Sequence, residues 1–209
     1  MSSMHQKFLE LSKEKQLRII NAGMEIFGKF GYKKGNTDDI AAKAGISKGA
    51  LFYYFHDKKS FFLYLFSFCE EIMKKFIDYD EIKDIDDFFD LLDYGSTKKI
   101  DLIRQYPYIL NFILKAYYSS KEPFSKETNQ MIQDIIEHTF DDYFQFVNFN
   151  KFKDGIDPHY IYHMLIWMGD GYLMEKIRMG KELDIDEIIA DFHQWEDMFK
   201  VLAYKEEYL

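Results

Sequence analysis

Apolar residues near the start of the chain recur at helical spacing. Ile19, Ala22, Gly23, Ile26, Phe27 and Phe30 fall at i, i+3, i+4, i+7, i+8 and i+11, one stripe of an amphipathic helix. Ser12 precedes it as an N-cap residue, with Glu14 in the first turn. Gly31 follows the stripe, where a left-handed terminus is easiest for glycine. Thr37 is expected to cap a second, short helix. Asp38 and Asp39 lie in its first turn, and Ile40, Ala41 and Ala44 face inward. Gly45 breaks that helix, and Ser47 caps a third through about Tyr54. Asp57 can cap a fourth, long helix through the Phe-rich stretch to about Ile77.

Beyond it, acidic residues from Asp78 to Asp93 alternate with Ile82, Ile85, Phe88, Phe89, Leu91 and Leu92. This predicts a connecting turn and an amphipathic helix with a solvated acidic face. Gly95-Ser96 and Tyr106-Pro107 punctuate the chain, and Pro107 can open a helix to about Ser119. Lys121-Glu122-Pro123 is a turn, after which Ser125 can cap a helix toward Asn150. Asp157-Pro158 starts a helix that ends near Gly180. Asp184 with Glu187 resembles a capping box for a last helix to about Ala203. The chain therefore reads as all-α with about nine helices.

Composition supports this. Of 209 residues, 47% are hydrophobic and 19% aromatic, with only 3 Pro and 11 Gly, too little turn chemistry for an all-β fold. The one cysteine, Cys69, excludes an internal disulfide and a cysteine-rich zinc cluster. The N-terminus has no apolar segment of signal-peptide length, and the apolar run from Phe61 to Cys69 is too short to cross a bilayer. A soluble, cytoplasmic protein is expected.

Charge is unevenly placed. The net charge is −9, yet residues 1–60 hold 11 Lys+Arg against 6 Asp+Glu, or +5, which leaves −14 for the remainder. A basic N-terminal segment on an acidic body suits local docking on a polyanion. The informative stretch is TDDIAAKAGISKGALFYYFHDKK, Thr37 to Lys59. Two short capped helices joined by a tight glycine turn form a helix-turn-helix. Small Ala41, Ala44 and Gly45 let the helices approach, while Ile46 and Leu51 fill the angle between them. Ser47-Lys48-Gly49 leaves small and basic groups at the start of the third helix. Such an end fits a major groove, and its N–H groups and dipole favour phosphate.

This segment resembles the tetracycline-repressor-like (TetR) family of transcriptional regulators. The likeness runs from about Arg18 through Phe62 and includes RIINAGMEIFGKFGY, DIAAKAGISKGALFYYF and KKSFF in register. It implies an N-terminal three-helix DNA-binding domain, residues 1–58, and a helical ligand-binding and dimerisation domain, residues 59–209. It also implies that Thr37 touches a phosphate, that Ser47 caps the recognition helix and reaches the backbone, and that Lys48 contacts base or phosphate. Gly49 allows close approach, Ala50 meets a thymine methyl, Tyr53 and Tyr54 flank the groove, and Lys58 holds the next phosphate. Phe52 stands where relatives usually carry tyrosine, so that phosphate hydrogen bond is lost, although the ring can pack on sugar or a methyl. With Lys48 the only long polar reader, DNA shape is expected to carry much of the discrimination. The capping roles of Thr37 and Ser47 hold whether or not DNA is touched.

The Pro158–Gly180 segment is apolar on more than one face, and the last helix carries a wide stripe through Trp195, Met198, Phe199 and Leu202. Together with their copies these helices could form a four-helix bundle, in line with the family's homodimer and a pseudo-palindromic operator. The resemblance also implies a ligand cavity for a small hydrophobic or aromatic molecule. Tyr106, Phe112, Tyr117, Phe144, Trp167 and Tyr172 are candidate contacts or plain core residues. Asp170 and Glu175 would suit a cationic ligand or be surface charges, and an acyl chain is the other obvious ligand.

An enzyme is not expected: the chain has no glycine-rich phosphate loop and no G-x-S-x-G. His159 and His163 have the spacing of two metal ligands but lack a third, so neither metal nor cofactor is expected. A ligand-responsive repressor is the leading reading. A helical small-molecule-binding or signalling protein without operator function is the alternative.

Overall fold

The computed structural model describes residues 6–76, 78–117, 140–181 and 183–209. Among these residues there is no β-strand, only a single antiparallel bridge between Phe152 and Tyr204. The longer helices are α1 (Lys13–Lys34), α2 (Thr37–Ala44), α3 (Lys48–Phe55), α4 (Lys58–Phe76), α5 (Phe88–Gln105), α6 (Ile109–Tyr117), α7 (Pro158–Arg178) and α8 (Ile185–Ala203). Short helical turns at Gln6–Leu9, Tyr79–Ile82, Phe149–Lys151 and Glu206–Tyr208 accompany them. No described helix is long and apolar enough to cross a membrane.

Local chemistry sets the helix ends. Ser12 Oγ accepts from Lys15 N, Ser47 Oγ from Ala50 N at 3.1 Å, and Asp57 from Ser60 N at 2.7 Å. Asp157 caps α7 with Pro158 behind it, and Asp184 accepts from both Asp186 N and Glu187 N at the start of α8. Inside α1 the helical path breaks at Gly31, whose φ of 72° suits a residue without Cβ.

The structure corrects several local expectations. Asn36, not Thr37, is the N-cap of α2; its side chain accepts from Asp38 N, and Thr37 is the first helical residue. Phe30, expected on the buried stripe, is exposed, because the helix breaks one residue later. Gly95 and Ser96 lie within α5 rather than between helices. Gly95 serves packing there: a Cβ would stand 2.7 Å from the Tyr143 Oη that donates to Leu91 O. The helix expected from Ser125 begins outside the described residues; its visible end stops at Tyr143, well before Asn150.

Two compact units divide the chain, Met1–Phe76 with Asp101–Ile136 and Ile77–Ile100 with Glu137–Leu209. In the first, Ile19, Met24 and Phe27 of α1 meet Ile40 and Ala44 of α2, Leu51 and Phe55 of α3, and Phe61, Phe62 and Leu65 of α4. The boundary expected after residue 58 falls inside this unit, because the start of α4 is part of its core. Phe55 and Phe61 rings lie 4.5 Å apart, and Phe62 stands 5.2 Å from Phe112 of α6. Cys69 is buried in the same core, and burial pushes its thiol up, away from the reactive thiolate. In the second unit Phe88, Leu91, Phe144, Phe152, Ile161, Leu165 and Tyr204 form a separate core. Phe88 stacks on Phe144 at 4.6 Å, and Phe88 N donates to Tyr204 Oη at 3.1 Å.

Candidate nucleic-acid interface

The turn between α2 and α3 is built by Gly45. It adopts the left-handed conformation (φ 67°, ψ 37°), and its N–H reaches Ala41 O and Ala42 O. Ile46 N returns to Ala41 O at 3.0 Å, and Ser47 then opens α3. Ile40, Ala41, Ala44, Leu51 and Phe55 are buried behind this turn, and Ile46 is half-buried against them. The α3 backbone is thereby pinned from one side only.

The opposite side faces solvent. Ser47, Lys48 and Gly49 are exposed, Ala50 and Phe52 half-buried, and Tyr53 is 66% exposed. A Cβ on Gly49 would meet nothing closer than Ser47 Oγ at 3.9 Å, so protein packing does not require glycine there. Tyr54 is half-buried, its ring 5.7 Å from Tyr53 and 6.2 Å from Phe8. It therefore braces Tyr53 from the core side. Thr37 is only 7% exposed and is the first residue of α2, where backbone N–H groups have no partner within the helix.

Cations line this edge and are held by neighbours that a phosphate can replace. Lys48 Nζ lies 2.9 Å from Asp38 Oδ2 and 6.0 Å from the Phe52 ring centroid. Lys58 Nζ donates to Lys33 O at 3.2 Å and stands 4.8 Å over the Tyr32 ring. Behind them Lys43 pairs with Glu25 at 2.6 Å, tying α2 to α1. Tyr108, just before α6, hydrogen-bonds the same carboxylate. Each one's own hydrogen bond to Glu25, with the charge of that carboxylate, holds Lys43 and Tyr108 above their ordinary range. The Asp57 carboxyl sits below its usual range, chiefly through the Ser60 N–H it accepts.

Thus Ser47, Lys48, Gly49, Ala50, Phe52 and Tyr53 share one outward edge of α3, with Tyr54 behind it and Lys58 at the start of α4. Asn36, Asp38 and Glu25 are the contributors that sequence reasoning missed. Asn36 had the right residue type one position early, while the Asp38 and Glu25 pairings join residues far apart in sequence.

The expected ligand residues are divided between the two units. Tyr106 and Phe112 lie in the first core, and Phe144 lies in the second. Trp167 is 57% exposed on α7, and Tyr172 on the same helix donates its hydroxyl to Asp191. The Tyr117 side chain lies outside the described residues. His159 stacks on Phe140, with ring centroids 3.5 Å apart, and His163 stacks on Trp167.

A capped helix pair backed by a core, with a basic outward start to the second helix, defines a helix-turn-helix protein. Residues 19–65 match the profile of the family described as bacterial regulatory proteins, tetR family. Over 47 residues the chain is 40% identical to the uncharacterized HTH-type transcriptional regulator TtgW of Pseudomonas putida. The match spans 22% of this chain and 35% of that relative. The fold is similar to that of a TetR family transcriptional regulator from Chloroflexus aurantiacus (TM-score 0.63, 20% identity, 96% of this chain and 98% of that one). It is also similar to the transcriptional regulator FadR from Bacillus subtilis in complex with stearoyl-CoA (TM-score 0.62, 17% identity, 87% and 96% covered). The helix-turn-helix segment is that of the TetR family, and the chain shares the fold of TetR-family regulators.

Proposed function

We propose that the protein is a ligand-responsive DNA-binding transcriptional regulator, a repressor that a small hydrophobic molecule releases from a pseudo-palindromic operator. The observation that carries this reading is the solvent-facing edge Ser47–Tyr53, rigidly backed by Leu51 and Phe55. In it Ser47, the Thr37 N–H, Tyr53, Tyr54 and Lys58 position the phosphates. Lys48, Gly49, Ala50 and Phe52 meet the groove floor.

The working form is a homodimer through α7 and α8. Trp167, Ile177 and Met179, on or just after α7, and Met198, Val201 and Leu202 on α8, are large apolar side chains left exposed. A second copy would cover them and set two recognition helices at successive major grooves. Effector binding would favour a dimer whose recognition helices are misplaced, shifting the population away from DNA, with α4 carrying the change. The relative solved with stearoyl-CoA supports an acyl-CoA as the first effector to try. The protein works in the cytoplasm, where operator and effector meet.

The test is fluorescence anisotropy with random genomic fragments at low salt, repeated as salt is raised. Wild type should bind with steep salt dependence, and Lys48→Ala should bind about tenfold more weakly with a slope shallower by about one. Salt-independent binding, or an unaffected variant, would defeat the DNA reading. It would leave the helical small-molecule-binding protein as the better description.

A further inference from the structure

The second unit holds a cluster of metal-ligating groups that the DNA reading does not use. Asp93 lies on α5, and His193 and Glu196 stand at i, i+3 on one face of α8. Each of the three directs one ligand atom into the cluster, all within 4.8 Å of one another. His193 Nε2, a buried atom on a half-buried side chain, pairs with Asp93 Oδ1 at 2.8 Å. Glu196 is only 5% exposed, and its buried Oε1 has no hydrogen-bond partner.

An unpartnered buried carboxylate oxygen is costly, and buried charges are normally paired or bound to metal. We infer that Asp93, His193 and Glu196 form a binding site for a divalent transition-metal ion, with zinc the reference case. One imidazole nitrogen and two carboxylates suit zinc, manganese or iron(II) better than calcium or magnesium, which take oxygen ligands. Donors bonded at about 2.1 Å on a tetrahedron stand about 3.4 Å apart, so small side-chain adjustments close the triad around an ion. Three protein ligands leave a fourth position for water or an exchangeable ligand.

The Tyr143 hydroxyl does not serve the triad: it donates to Leu91 O at 2.9 Å.

The experiment uses the full chain stripped with a chelator, then titrated with zinc alone against a chromophoric competitor. Cobalt(II) is added in parallel to read ligand-field absorption. One ion per chain is expected, with affinity falling at least about tenfold in His193→Gln and in Asp93→Asn. His159→Ala and His163→Ala should bind as wild type. Asp93 is exposed, so Asp93→Asn should keep the wild-type melting curve and remains decisive should Glu196→Gln unfold. Absence of stoichiometric binding, or binding unchanged in His193→Gln and Asp93→Asn, overturns the site. No DNA enters this assay, so its outcome is separate from that of the operator reading.

Discussion

Lys48 Nζ, the only long cation on the exposed start of the recognition helix, lies 2.9 Å from Asp38 Oδ2 on the helix before it. Both side chains are about half exposed, so the pair adds about 0–1 kcal/mol to stability. Its larger effect is on DNA. A phosphate or base acceptor must displace Asp38, whose negative charge stays beside the groove. Asp38→Asn should therefore bind DNA about two- to fivefold more tightly at low salt. In a Lys48→Ala background the same change should gain much less, a coupling that anisotropy titrations of the four proteins would measure.

The exposed apolar stripe of α8 gives a second expectation. Leu202→Glu, alone or with Met198→Glu, puts charge where a twin subunit should pack and touches neither unit's buried core. Sedimentation velocity should show dimer for wild type and monomer for the double variant. Operator affinity should fall by at least about tenfold, because the two reading heads no longer act together.

Packing in the first unit is tight enough to be probed by one methyl group. A Cβ on Gly23 would stand 2.6 Å from Phe61 Cζ and 2.7 Å from Leu65 Cδ1. Phe61 and Leu65 are fully buried, so neither has room to retreat. Gly23→Ala should destabilise the protein by about 1–3 kcal/mol despite the better helix propensity of alanine. Chemical denaturation would report it as a lower midpoint.

Asp87 anchors the second unit. It caps α5 through Phe89 N at 3.0 Å and pairs with Lys151 at 3.1 Å and Lys200 at 3.5 Å. Burial alone would raise its carboxyl; the Lys151 hydrogen bond, the Asp90 N–H and the two lysine charges outweigh burial and hold it below the usual range. A lowered folded value means stability that is complete above about pH 4 and lost as pH falls through that lower value. Asp87→Asn should thus be less stable by about 2 kcal/mol at neutral pH. The gap from wild type should close below about pH 4 in thermal melts across a pH series.

Much of this protein was legible along the chain because the signals are local. Caps at Ser12, Ser47, Asp57, Asp157 and Asp184, and Gly45 at the end of α2, act within one helical turn, so residue type and spacing are enough. The outward edge Ser47–Tyr53 follows from the same logic, since the inward positions Leu51 and Phe55 name the other face. Gly95 was misread because its reason is Tyr143, a neighbour in space that periodicity cannot see.

The sequence by itself determined the all-helical character, the helix-turn-helix and the residues that tip it, since each rests on interactions between near neighbours. Tertiary structure alone decided that α4 belongs to the first core, that Asp38 holds Lys48, and that Asp93 meets His193 and Glu196. Those outcomes depend on which distant segments pack together, and long-range contact leaves no periodic trace in the order of residues.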